Sequence, residues 1–274
     1  MHDYLRISAA ELGQGTSVKI RMLGDMASIA RDLADAMMQE IRVKPAATLI
    51  IPVGPVDQFP ILAEAINSGR LDCRDVMLIN MDEYLTDSDE FVPTDHPLSF
   101  RGYMDRAFYS RLDSDLVPRP ENRVFPDPRD PGALQSMIDA RGGVDACFGG
   151  IGINGHIAFN EPPEPGETMS AGDFAALPSR VLTLSRETRT INSVTVGGGI
   201  EVIPRRAVTV GMKEILAARR LRFYCNRPWQ SAVVRRVLHG PITSACPASL
   251  LRLHADARIT VADCVAAPPH IQLR

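Results

Sequence analysis

Val144-Asp-Ala-Cys-Phe-Gly-Gly-Ile-Gly-Ile-Asn-Gly-His-Ile-Ala-Phe-Asn-Glu-Pro162 is the stretch that decides the fold. Residues 144–151 form a mostly apolar run closing on glycine, the pattern of a strand buried on both faces. Gly150, Gly152 and Gly155 satisfy G-x-G-x-x-G, which after a strand suggests a dinucleotide-binding turn. That turn has to open a helix whose N-terminus faces the pyrophosphate, and Pro162, Pro163 and Pro165 leave no room for one. A nicotinamide cofactor is therefore set aside, and the expectation is chemistry without cofactor or metal. What remains is a glycine loop exposing backbone amides, with His156 at its crest. Glu161 follows five residues later, where the chain can turn back to orient the imidazole. A His–carboxylate pair is a proton-transfer device.

Working outward, similar apolar runs occur at 47–51, 76–80, 207–211, 221–225 and 258–262. Between them lie helical segments. Met26, Ile29, Ala30, Leu33, Met37 and Ile41 recur at helical spacing and stop before Pro45. Further helices are read at 61–67, 96–112, 131–140 and 229–238. Strands alternating with helices predict a doubly wound α/β fold: one mostly parallel, Rossmann-like sheet with helices on both faces, residues 1–274 forming one domain. Ligands in such sheets bind beyond the carboxyl ends of the strands, so the loops there are where chemistry is sought.

After the 76–80 run comes Asn80-Met-Asp-Glu-Tyr84, two adjacent carboxylates and a phenol at a strand end. Asp82 is the candidate base, because a carboxylate shielded from water has a raised pKa and can take a proton from carbon beside a carbonyl. The competing reading is that both carboxylates cap the following turn. His96, in Thr94-Asp-His-Pro-Leu-Ser-Phe100, is read as structural, with Asp95 or Ser99 capping a helix.

Composition narrows the partners. Thirty Lys and Arg against 33 Asp and Glu give a net charge of −3 with the signs interspersed, which offers no stripe for nucleic acid and no polybasic patch for anionic lipid. No run approaches the roughly 18 apolar residues of a membrane span. The five scattered cysteines, Cys73, Cys147, Cys225, Cys246 and Cys264, match no zinc spacing and read as buried thiols in a reducing cytoplasm.

Asn80-Met-Asp-Glu-Tyr84 together with Gly155-His-Ile-Ala-Phe-Asn-Glu-Pro162 resembles the paired signature of the glucosamine-6-phosphate deaminase family. The likeness continues through Thr188-Arg-Thr-Ile-Asn192, Ala207-Val-Thr-Val-Gly-Met212 and Pro247-Ala-Ser-Leu-Leu-Arg-Leu-His254, spanning roughly residues 20 to 265. The resemblance implies hydrolytic deamination coupled to aldose–ketose isomerisation of a 2-amino-2-deoxyaldose 6-phosphate. By carry-over, His156 oriented by Glu161 opens the ring, and Asp82 moves the C2 proton to C1 through an enolamine. Asn154 stands where some members have an acid, so relay through it is absent and orientation of His156 falls mainly to Glu161. Glu83 and Gly152 join the substrate-binding set.

The sequence departs from the family in the loop after the first strand, where a Thr/Ser-Gly-Gly-Thr stretch is replaced by Val53-Gly-Pro-Val56. Only Gly54 matches, and Pro55 removes an N–H donor. Charge-assisted hydrogen bonds contribute about 1.5 to 3 kcal/mol each, so the loss bears on phosphate binding. Arg189 stands at the family's phosphate-binding arginine. The family's lysine aligns near Trp229 or Gln230, leaving Arg227 as the replacement charge. Two readings of the C6 end follow: the usual phosphate held by Arg189, Arg227 and backbone groups, or a sulfonated or unphosphorylated amino sugar. A 6-phosphogluconolactonase-like hydrolase and a non-catalytic sugar sensor are the rival functions on the same fold. A homo-oligomer and a lid at 163–178 are left open.

Overall fold

The structure, a computed structural model, describes residues 2–54, 57–270 and 272. In chain order the strands and helices begin with β1 (Lys19–Leu23), α1 (Met26–Val43), β2 (Thr48–Ile51), α2 (Gln58–Ser68), β3 (Met77–Asn80), β4 (Asp82–Leu85) and α3 (Phe100–Ala107). They continue with β5 (Arg123–Val124), α4 (Ala133–Ala140), β6 (Ala146–Gly149), α5 (Ala171–Ala175), β7 (Arg180–Thr183) and α6 (Arg186–Val196). Last come β8 (Arg206–Thr209), α7 (Met212–Leu216), β9 (Leu221–Cys225), α8 (Gln230–His239), β10 (Ala257–Ala262) and α9 (Asp263–Ala266).

Local chemistry sets the element ends. Asp25 caps α1 by accepting from the Ser28 N–H at 2.7 Å, and the helix buries Ile29, Leu33, Met37 and Ile41 along one stripe. Ser99 caps α3 through the Gly102 N–H at 3.1 Å, so the helix read from residue 96 starts at Phe100. Ser185 caps α6, and Gly197 ends it with φ 73°, a left-handed conformation that costs glycine little.

Seven strands form the main sheet in the order β1-β10-β9-β6-β2-β3-β5, every pair parallel. Side chains alternate across it. Ile50, Ile79, Cys147 and Phe223 pack in one cluster with α8, while Leu49, Ile51, Leu78 and Phe148 pack on the other face with α1 and α2. The α/β class and its helix-covered faces therefore stand. β1, with Lys19, Arg21 and Met22 exposed, was not foreseen, because an edge strand lacks the continuous apolar run of a central one.

One strand is placed differently. The 207–211 run was expected in the parallel sheet, but β8 lies in a second, three-stranded antiparallel sheet ordered β4-β8-β7. An apolar run reports burial on both faces and says nothing of its neighbour, which explains the error. Met81 joins the two sheets: its N–H donates to Ile51 O at 3.0 Å, and its carbonyl accepts from Val210 N at 2.7 Å. The chain thus leaves the large sheet at Asn80 and enters the small one at Asp82.

Candidate active site

The carboxyl ends of β2, β3, β6 and β9 converge on a cavity of about 270 Å³. Pro52, Val53 and Gly54 line it after β2, Met81 and Asp82 after β3, Gly150, Ile151, Gly152 and His156 after β6, and Asn226, Arg227, Trp229 and Gln230 after β9. Asn192 and Thr195 of α6 complete the wall with Phe100, Ala158, Phe159 and Tyr224.

Asp82 is 7% exposed. Burial first, and the neighbouring charge of Glu83 second, push its carboxyl up to about 8. Glu83 does not line this cavity, contrary to the substrate-binding role expected of it. Successive strand residues point to opposite faces, and Glu83 is turned to the start of α3. There it accepts from the N–H groups of Phe100 at 3.0 Å and Arg101 at 2.8 Å and from Ser99 Oγ at 3.1 Å. Arg101 Nε lies 3.5 Å away. Of the two carboxylates, then, Glu83 caps structure and Asp82 faces the cavity.

The glycines of the next loop make room for His156. A Cβ on Gly152 would lie 2.0 Å from His156 Cε1, and Gly155 has φ +92° with Cys246 Sγ against it. Behind the ring sits a polar network. Asn154 Oδ1 lies 2.8 Å from His156 Nδ1 and accepts from the His156 N–H at 3.1 Å, while Asn154 Nδ2 donates to Glu161 Oε2 at 2.8 Å. Thr188 Oγ1 lies 3.1 Å from the same Nδ1, and Glu161 Oε2 stands farther off at 3.6 Å. Orientation of the imidazole therefore falls to Asn154 and Thr188 before Glu161, which corrects the expectation that Glu161 does most of it. Burial works to raise the Glu161 carboxyl, but its pairing with His156 first, and the hydrogen bond from Asn154 next, outweigh it and hold the carboxyl at about 2. Asn154 and Glu161 stand behind His156 and do not line the cavity.

Arg189, too, lies away from its expected place. Its guanidinium donates to Ile200 O at 2.9 Å and Ile203 O at 3.2 Å and does not reach the cavity wall. On α6, residues 188, 192 and 195 share one stripe, and Arg189 falls about 100° around the helix from Thr188. Arg227 does line the cavity and is the sole Lys or Arg that does so among the described residues. Its backbone is held by Gln230, whose Oε1 accepts from the N–H groups of Asn226 and Arg227 at 2.9 Å each and whose Nε2 donates to Ile151 O at 2.8 Å. Val53 and Gly54 line the cavity, while Pro55 and Val56 lie outside the described residues.

Asn192, Thr195, Thr188 and Ser185 were given no role from the sequence, and Trp229 entered only as a position near the family's lysine. The signal that was present is the i, i+4, i+7 spacing of residues 188, 192 and 195, which goes unread when α6 is not recognised as a helix. His96 is structural as expected, its Nδ1 accepting from the Leu98 N–H. Four of the cysteines are buried, but Cys264, expected to be so, is exposed in the short α9. Among the described residues, no group of three or more His, Cys, Asp or Glu side chains is arranged to hold a metal ion.

No family model matches the chain. Glucosamine-6-phosphate deaminase of Cellvibrio japonicus is 33% identical over 256 residues, covering 91% of this chain and 90% of that protein. The chain belongs to the glucosamine-6-phosphate deaminase family. A solved structure described as a monomeric glucosamine-6-phosphate deaminase superposes with a TM-score of 0.77 at 26% identity, covering 91% of this chain and 99% of the other. A 6-phosphogluconolactonase from Trypanosoma brucei, with TM-score 0.64 and 15% identity over 92% of this chain and 98% of its own, shares the fold alone. This deaminase-family member keeps Asp82 and His156 on the cavity, whereas Arg189 is turned away from it.

Proposed function

We propose that this protein deaminates glucosamine 6-phosphate, opening the pyranose, moving the C2 proton to C1 and releasing ammonia by hydrolysis to leave a ketose 6-phosphate. The observation that carries this reading is that Asp82 and His156 open on one cavity, the first with its carboxyl near 8 and the second with Nδ1 already engaged.

With Nδ1 tied to Asn154, His156 turns Nε2 to the cavity. That nitrogen takes the proton of the C1 hydroxyl and hands it to the ring oxygen as the C1–O5 bond breaks. Asp82 then takes the C2 proton, giving an enolamine, and returns it to C1, giving an iminium at C2. Water adds to C2, and the C2–N bond breaks with loss of ammonia. A carboxyl near 8 suits both halves of Asp82's task, because the best acid–base catalyst has a pKa close to the working pH. Arg227 is the anchor for the phosphate, beside Val53 and Gly54. Glu161 and Asn154 hold His156, and Gly152 gives its ring room. The reading assigns the cytoplasm, in keeping with five free cysteines; no helix among the described residues is long and apolar enough to cross a membrane.

The test is ammonia release from glucosamine 6-phosphate, with glucosamine as comparison substrate and Asp82→Asn as the blank. Release that needs both the phosphate and Asp82 is expected. Acid release from 6-phosphogluconolactone, with no ammonia from the amino sugar, refutes the reading.

A further inference from the structure

At 3.6 Å, His156 Nδ1 and Glu161 Oε2 are too far apart for a hydrogen bond, although they are the pair that acts together in the reaction just described. Two side chains stand between them. Asn154 turns its Nδ2 to Glu161, which fixes its Oδ1 toward His156 and so favours a proton on Nδ1. Thr188 is the second. It is fully buried, and its Oγ1 is 3.1 Å from Nδ1. With the proton on Nδ1, the hydroxyl is a second acceptor for it beside Asn154 Oδ1.

The first turn of α6 is bound to the same carboxylate. Ser185 Oγ accepts from the Thr188 N–H at 3.2 Å and donates to Glu161 Oε2 at 3.1 Å, and the Ser185 N–H donates to Glu161 Oε1 at 3.2 Å. Thr188 therefore sits at a fixed height against the imidazole.

From this geometry we infer that Thr188 is a positioning residue: its hydroxyl, set in place through Ser185 on Glu161, stands beside Asn154 as an acceptor for Nδ1, keeps the proton there and leaves Nε2 free toward the cavity. The inference rests on the deaminase reading for its kinetic consequence but not for its tautomer. When Nε2 takes up a proton, the charge on the ring faces the Glu161 carboxylate across Asn154. Thr188 does not line the cavity, so it acts on turnover and leaves substrate affinity alone. A merely structural threonine lowers stability and leaves the tautomer unchanged.

Long-range 1H–15N spectra of the imidazoles, with the His156 signal assigned by its loss in His156→Gln, read the tautomer directly. The wild type and Thr188→Ser are expected to show His156 with Nδ1 protonated. Thr188→Val is expected to show a mixture of tautomers, with kcat lower by about tenfold, a fraction of the 10²–10⁴ that a placed acid or base contributes, and KM little changed. Thr188→Ala carries the same comparison should the valine variant fail to fold. A Thr188→Val or Thr188→Ala spectrum and kcat equal to wild type overturn the proposal, as does a Thr188→Ser variant that restores neither. If the wild type releases no ammonia, the deaminase reading fails, and the spectra still decide the role of Thr188.

Discussion

The loop after β6 and the loop after β9 both present a charged or chargeable side chain to the cavity, but they hold it differently. His156 is braced by Asn154 and Thr188, with Glu161 and Ser185 behind them, before any substrate arrives. Arg227 has its backbone fixed by Gln230, while its guanidinium makes no hydrogen bond or ion pair among the described residues. The imidazole proposed for proton transfer is thus preorganised, as acid–base chemistry needs when reacting atoms must be placed within a fraction of an ångström. The anion site proposed at Arg227 keeps its donors unspent, so an incoming anionic group would supply their partner. Mutation is expected to separate the two loops, the first acting on turnover and the second on affinity.

The largest effect falls on the proton shuttle. Asp82→Asn should lower kcat by about 10²–10⁴ or more, the span that a positioned acid or base contributes, with KM little changed. The same variant should be more stable than the wild type near pH 7.5. Folded Asp82 keeps its proton up to about 8, whereas the unfolded carboxyl loses it near the ordinary carboxylate value. Between those limits the unfolded state binds fewer protons, so wild-type stability falls as pH rises. Asparagine removes that loss, and a Tm increase of roughly a few degrees is expected in a thermal scan at pH 7.5. Glu161 has the opposite sign: its contribution is present above the ordinary carboxylate value and is lost as pH falls toward about 2.

Next in size is Arg227→Ala, which should raise KM for the sugar phosphate by roughly ten- to a hundredfold, the equivalent of one charge-assisted hydrogen bond, with kcat nearly unchanged. Arg189→Ala sharpens the contrast: it should leave KM near wild type and lower Tm, because its guanidinium caps the Ile200 and Ile203 carbonyls. A KM effect at Arg189 equal to that at Arg227 breaks the comparison, since it places Arg189 on the substrate.

The wild-type kcat/KM should climb about tenfold per pH unit below about 8 and level above it, since the base form of Asp82 is the deprotonated one. The smallest effect is expected of Glu83→Gln. Removing the charge beside Asp82 should shift that limb to lower pH, while weaker capping of α3 costs about 1–3 kcal/mol in denaturant unfolding. A limb unmoved in this variant assigns it to a group other than Asp82.

Adjacent residues show where sequence reading stops. Asp82 and Glu83 are indistinguishable as types, and the choice between them depends on which way β4 turns. That in turn depends on β4 leaving the large sheet at Met81 and pairing with β8, a partner more than 120 residues away in sequence. Arg189 and Thr188 likewise exchange importance with the rotational phase of α6, which is set by Ser185 at one end and the Ile200–Val202 turn at the other.

The sequence by itself determined the alternation of buried strands and helices, the glycine loop that makes room for His156, and Asp82 as a carboxylate at a strand end. These are carried by periodicity and by backbone conformations that only certain residues adopt, both local properties. Tertiary structure alone decided that Glu83 caps α3, that Arg189 is spent on backbone carbonyls, that Thr188 stands against the imidazole, and that the 207–211 strand belongs to a second sheet. The partner of a polar side chain is fixed by packing between segments distant in the chain, and a single sequence carries no local signal for it.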